Sequence, residues 1–273
     1  INDARQSGFL VPRQGYSSES GFDLAVPYYW NIAPNQDMTI TPRLMTERGV
    51  LLGVEYRFLQ SWQQGQIGFE YIPDDRRYGG ARGSFNATDR ASPLPNFYTD
   101  LRYEYVSDDS YIRDLSNNLS FLTPNYLERH LDARYYGDWW QGLMRVEGFQ
   151  ILNPAVFAIT GNPYQRLPQL LFNGAWPPGA DRFSYQMRGE MVNFQQSDMV
   201  TGLRLDLWPT VGWTLERPWG YVKPQAGFRY TSYQLDNTAP GATDAPSRSL
   251  PVLSLDSGLI FDRPLQADWL GVT

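Results

Sequence analysis

Residues 50 to 58 alternate without a break: Val50, Leu52, Val54, Tyr56 and Phe58 fall on one face of an extended chain, and Gly53, Glu55 and Arg57 on the other. Side chains of a strand alternate sides with a period of two, so this stretch specifies a strand with one apolar face and one that must stay wet. The pattern recurs. Phe183, Tyr185, Met187 and Met191 oppose Ser184, Gln186, Arg188 and Glu190. Leu203, Leu205 and Leu207 oppose Gly202, Arg204 and Asp206, and Val222, Ala226, Phe228 and Tyr230 oppose Lys223, Gln225, Gly227 and Arg229. A dry core cannot bury Glu55, Arg57, Arg188 and Glu190 cheaply, whereas a water-filled lumen accepts them.

Weaker alternation at 7–17, 21–32, 36–46, 64–73, 94–106, 123–136, 139–152, 166–175 and 250–262 brings the expected total to about 13 strands. They are longer than the five or six residues usual in soluble sheets and match the roughly nine to eleven that a tilted membrane strand needs. Connections come in two sizes. Glu47-Arg48-Gly49 and Gln60 to Gln63 are short; 74–93, 107–122, 153–165 and 236–249 read as long polar loops. Tight turns alternating with long loops are the signature of the two sides of an outer-membrane barrel. The expected fold is therefore all-β: an antiparallel up-and-down transmembrane β-barrel, with residues 1–273 forming part of its wall.

Composition agrees. Aromatic residues make up 15% of the chain while mean hydropathy is -0.46, as expected for a sheet greasy on one side only. No stretch approaches the 18 apolar residues of a spanning helix. Trp and Tyr gather at segment ends, in Tyr28-Tyr29-Trp30, Trp139-Trp140, Trp176, Trp208, Trp213 and Trp219, where interfacial girdles would lie. A carbohydrate-binding β-sandwich with an aromatic platform is the alternative. A net charge of -6, with basic residues interleaved among acidic ones, argues against nucleic acid. The absence of cysteine removes disulfides, thiol nucleophiles and Cys-ligated metals. Ile1 to Arg5 lack the pattern of a signal peptide and the chain stops mid-pattern at Gly271-Val272-Thr273, so both ends are expected to be cuts inside a longer precursor.

Chemistry-bearing constellations are sparse. His130 is the single histidine and shares parity with Glu128, Asp132 and Arg134, hence the polar side. No nucleophile motif accompanies it, and an ordinary luminal histidine is the expectation. Asp74-Asp75 before Arg76-Arg77 and Gly79-Gly80 lacks the frame of a calcium loop or phosphate cradle and reads as a solvated loop. No metal, cofactor or catalytic residue is expected. Pro12 and Pro27 are more informative, because each falls inside an expected strand and a proline cannot donate to a ladder. They mark either one weakened seam or two strand starts or bulges.

Arg5-Gln6-Ser7-Gly8-Phe9-Leu10-Val11-Pro12, then Pro27-Tyr28-Tyr29-Trp30-Asn31-Ile32-Ala33-Pro34-Asn35, then Thr39-Ile40-Thr41-Pro42-Arg43, closely resemble the opening of the barrel in the LptD family of lipopolysaccharide-assembly proteins. Arg48-Gly49, Glu55-Tyr56-Arg57-Phe58-Leu59, Glu70-Tyr71-Ile72-Pro73, Val106 to Tyr111 and Leu250 to Arg263 continue the likeness in order. The resemblance implies a transporter, not an enzyme, in the outer membrane of a Gram-negative bacterium. It implies a lipoprotein plug of the LptE type, and a periplasmic bridge of the LptA type that docks on an N-terminal jellyroll outside this sequence. Lipopolysaccharide would leave sideways between the first and last strands. Pro12 and Pro27 match the family's two prolines at that lateral gate, while Glu55, Arg57, Arg188, Glu190, Arg204 and Asp206 are expected to face the lumen. Another outer-membrane channel, such as a porin, is the alternative.

Overall fold

The computed structural model describes residues 6–115, 124–179, 181–197 and 199–262. They form one antiparallel sheet with two short helices. The first strands are β1 (Gly8–Phe9), β2 (Arg13–Ser17), β3 (Gly21–Ala25), β4 (Tyr28–Ala33), β5 (Gln36–Met45), β6 (Gly49–Leu59), β7 (Gln63–Asp75), β8 (Gly80–Leu94) and β9 (Phe97–Val106). Helix α1 (Tyr111–Leu115) precedes β10 (Tyr126–Tyr136) and β11 (Trp140–Ile151); α2 (Pro154–Thr160) precedes β12 (Gln165–Trp176). The chain continues through β13 (Phe183–Gln195), β14 (Thr201–Trp213), β15 (Leu215–Arg217), β16 (Gly220–Asp236) and β17 (Ser247–Leu259). Three divisions are only interruptions of one path: β1 with β2, β3 with β4, and β14 with β15 each continue along a shared neighbour. Among the described residues the wall thus has fourteen staves, joined in chain order.

Register carries one polar row across the sheet. Asp37 stands opposite Arg57, Arg57 opposite Gln66, Gln66 opposite Thr88, Thr88 opposite Arg102, Arg102 opposite His130 and His130 opposite Glu147. Directly opposed residues share a face, so the row lies on one side. A cavity of about 1280 Å³ is lined by Thr41, Glu55, Glu70, Asn86, Arg102 and Glu128 from six different strands, which makes the polar side the concave one. On the convex side Val50, Phe69, Phe85, Leu131, Met144 and Phe228 are exposed. That inversion, with apolar side chains outside and ion pairs inside, is stable only where the outside is hydrocarbon. Trp139 stacks on Trp176 at 4.3 Å and Trp140 on Phe172, as an aromatic belt near one rim. Trp208 departs from the expected girdle: it stands opposite Arg188 on the polar face, with both Arg188 and Arg229 against its ring.

The two rims differ. At one, β4–β5, β6–β7, β8–β9 and β10–β11 are joined by turns of two or three residues; the other carries the connections 107–125, 152–164 and 237–246. The expected long loop at 74–93 is overturned. Only 76–79 form a turn, and β8 pairs with both β7 and β9. This adds the stave that sequence alternation misses. At the long-loop rim the connection after β9 turns inward. Tyr111 and Leu115 pack with Met45, Leu51, Ile72 and Val106 in the main buried cluster, beneath which the concave cavity opens. Each such fully buried side chain contributes about 1.5–3 kcal/mol, enough together to hold a short helix that could not stand alone.

Candidate functional site: a proline-interrupted edge and a charged lumen wall

The first stave is the weakest part of the wall. β1 meets β4 through Gly8↔Tyr29 and Phe9↔Tyr28, and β2 meets β3 from Arg13↔Ala25 onward. Between them Leu10, Val11 and Pro12 stand against Val26 and Pro27, three residues against two, which is a bulge. The Leu10 N–H donates to the Pro27 carbonyl at 2.9 Å. In a narrow antiparallel pair a second bond returns the other way, but Pro27 has no N–H to give. The second stave keeps its far neighbour intact: Val26 N–H donates to the Pro42 carbonyl at 3.1 Å, and the β3–β5 and β4–β5 registers are continuous across the break. The defect is therefore confined to the first seam. Leu10 and Pro27 line the concave cavity, so the defect faces the polar interior, while Val11 is 86% exposed. Among the described residues no ladder joins β2 to β17, and both strands are exposed along almost their whole length.

The six polar residues expected in the lumen all have the parity of the concave face, but they form separate groups. Arg57 donates to both oxygens of Asp37, at 2.8 and 3.0 Å, with Glu55 beside it. Far around the wall, Arg204 pairs with Glu190, which also accepts from Gln169 at 2.6 Å; Arg166 then links Gln169 to Glu147. Asp206 accepts from Arg229 and from Thr231 Oγ1 at 2.7 Å. Arg188 lies against Trp208 and has no carboxylate partner among the described residues. His130 donates or accepts between Glu128 at Nδ1, 2.8 Å, and Asp100 at Nε2, 2.9 Å. With both ring nitrogens held by carboxylates it is tied into the wall and not poised as a base beside a hydroxyl.

A cluster that the sequence reading missed closes the long-loop rim. Asp75, fully buried, accepts from Arg48 at 2.8 Å and from Arg82 at 3.0 Å. Arg82 grips Asp108 with two bonds, at 2.8 and 2.9 Å, and reaches Asp114 on α1. Asp75 is thus the hub of an ion network, contrary to the solvated loop expected at Asp74-Asp75. Gly49 makes room for it: its φ is +134°, and a Cβ there would lie 2.8 Å from the Asp74 carbonyl. Tyr111 adds a bond from its hydroxyl to Glu70 at 2.9 Å. Burial would raise the Asp108 carboxyl, but Arg82, Ser110 and Ser107 outweigh it and hold the group at about 2. Burial pushes the Tyr111 phenol up, and Glu70 reinforces it. The inward loop is therefore pinned by charge at its start and by apolar packing at its end.

The family model described as LPS transport system D matches residues 80–272. The chain belongs to this LptD family. Curated relatives agree: the LPS-assembly protein LptD of Nitrosococcus oceani is 41% identical over 270 residues, covering 97% of this chain and 36% of that protein. Those of Aromatoleum aromaticum and Alkalilimnicola ehrlichii are 40% and 37% identical, covering 95% and 99% of this chain but 32% and 36% of theirs. The chain spans about a third of the length of the curated relatives it matches. Within this LptD-family chain, the matched region runs from β8 through β17 and holds the Glu190–Asp206 side of the charged wall. The proline-interrupted edge lies ahead of it, inside the span that the relatives cover.

Proposed function

We propose that this chain is one half of the wall of an outer-membrane barrel that delivers lipopolysaccharide, and that the substrate leaves sideways at the first stave. The observation that carries the reading is the bulge in the first seam, which holds Pro27 against Leu10 and Pro12 just before the Arg13–Ala25 pair, beside an unpaired sheet edge. An amphiphile with a long saccharide and several acyl chains must keep sugars in water and tails in hydrocarbon. A polar concave wall next to a seam that can open meets both demands. Each unsatisfied backbone group costs several kcal/mol in lipid, so the seam stays shut unless substrate offsets the cost, and prolines reduce the number of bonds to be broken.

The remaining assignments follow from the same reading. Glu55, Arg57, Arg188, Glu190, Arg204 and Asp206 line the saccharide side and contact a lipoprotein plug of the LptE type. The membrane is the outer membrane, with the rim of long loops turned outward. A jellyroll domain receives substrate from an LptA-type bridge at the short-turn rim. The chain's role is passage, not catalysis.

The test is photocrosslinking in living cells, in the full-length parent, with the probe at Val11 or Val26 and blotting for lipopolysaccharide adducts. Adducts at these positions, with none from a probe at the mid-wall position Leu205, are expected. Equal labelling at all three, or labelling at none, would make Pro12 and Pro27 ordinary strand residues and favour a plain channel.

A further inference from the structure

The seam between β9 and β10 is built unlike its neighbours. β8 stays paired with β9 up to Val106, and β10 with β11 from Tyr126 onward, but β9 and β10 pair only between Phe97–Arg102 and His130–Tyr135. Above Arg102 the two strands part toward the long-loop rim. Side chains fill the fork. Gln150, from β11, brings its amide to Val106: Nε2 donates to the Val106 carbonyl at 2.7 Å and Oε1 accepts from the Val106 N–H at 3.2 Å. A primary amide has the donor and acceptor of a peptide unit, so Gln150 supplies the pair of bonds that a strand residue would have made. Arg129 donates to the Glu104 carbonyl at 2.9 Å and to Gln150 Oε1 at 2.7 Å, and its guanidinium stacks over Tyr103 and Tyr105.

At this level the concave cavity is lined from both sides of the fork, by Glu104 and Val106 on β9 and by Tyr126 and Glu128 on β10.

We infer that the wall has a second parting line at the upper β9–β10 seam, latched by Gln150 and Arg129. Two panels, β1–β9 and β10–β17, separate there when the latch side chains change rotamer and the buried cluster that joins Val106 to Leu127 and Leu152 parts, without breaking a backbone ladder, and the paired lower half acts as the hinge. Rotamer changes are far faster than unzipping a strand, so this line yields before the β8–β9 and β10–β11 seams on either side of it. The inference rests on the proposed function only in giving that motion a use: a wall that opens at its first stave has to flex elsewhere.

Hydrogen–deuterium exchange on the full-length parent with its lipoprotein partner in lipid nanodiscs tests it, comparing wild type with Gln150→Ala and Gln150→Glu. The expected result is joint acceleration of the fork-facing amides, Glu104 and Val106 on β9 and Tyr126 and Glu128 on β10, tenfold or more in Gln150→Ala and less in Gln150→Glu, which keeps the acceptor. Amides of 97–102 and 130–135 stay unchanged. Acceleration at Val106 alone would mean one lost hydrogen bond and no parting line, and acceleration through the lower ladder would mean general loosening; either overturns the inference. The readout uses no lipopolysaccharide, so failure of the Val11 crosslink would leave it standing.

Discussion

Asp75 and Glu55 are both acids paired with arginines in a sheet, yet they do different work. Glu55 is about half exposed and its bond to Arg57 is screened by water, so Glu55→Gln should cost no more than about 1 kcal/mol. Asp75 is dry and holds two arginines that have no exposure of their own to fall back on. Asp75→Asn removes the nearest buried anion from both, leaving Arg82 to Asp108 and Asp114 and Arg48 to the more distant Glu19, a loss on the order of 3 kcal/mol. The temperature at which the full-length protein loses its folded mobility on a semi-native gel should fall clearly for Asp75→Asn and little for Glu55→Gln; equal small shifts would remove Asp75 from the centre of the network. Asp108 gives the same cluster an acid limit. Its folded value of about 2 lies below the ordinary 3.8, so its contribution, about 2 kcal/mol, is present in full above that ordinary value and is lost as pH falls through the folded one. Pepsin cutting within 107–115 should therefore rise between pH 4 and pH 2, and Asp108→Asn should remove the rise by making the loop open at both.

At the scale of elements, the first seam makes the sharpest demand. Pro27→Ala restores an N–H facing Leu10, whose own N–H already reaches the Pro27 carbonyl. The completed pair should slow exchange of the Leu10 amide and reduce lipopolysaccharide adducts at Val11, the added bond being worth about 1 kcal/mol or more away from water. An unchanged adduct yield would separate the bulge from any opening. The two prolines were legible because the missing N–H is a property of the residue itself; the three-against-two offset was not, because it depends on the registers of two strands at once. Strands such as β6 and β13 could be read from alternation alone. β8 could not: its outer face offers Ala81, Gly83, Ala87 and Asp89 around one Phe85, and its glycines imitate a loop. Trp208 could have been placed by parity, since it shares a face with Arg204 and Asp206, but clustering of aromatics at segment ends pointed to the girdle instead. The Asp75 network was hidden for another reason. Arg82 reaches it from the next stave and Asp108 joins through Arg82 from the connection after β9, while the adjacent Arg76 and Arg77 suggested a purely local turn.

Over the whole molecule, the two rims give the wall a direction. Turns of two or three residues join most staves at one rim, whereas the other rim carries the inward α1 segment, α2 and the connection 237–246. In outer-membrane barrels short turns face the periplasm and long loops the outside, so the proposed function puts the Asp75–Arg82 cluster at the outer mouth and the Trp139–Trp176 belt at the inner interface. The connection 237–246 is held at its base by Leu235 and Tyr233 amides to Asp244 and Pro246, its only inner bonds are the local ones from Thr238 to Asp244 and from Ala242 to Ala239, and Gly241 at its tip has φ +85° with open space around it. An epitope inserted after Gly241 in the full-length parent should therefore be tolerated and should bind antibody on intact cells. The same epitope after Pro178, at the opposite rim, should bind only once the outer membrane is permeabilised. The reverse pattern would turn the wall over: the charged cluster would then close the periplasmic mouth, and substrate approaching from below would meet the pinned α1 loop before it met the cavity, which no route out through the first stave could accommodate.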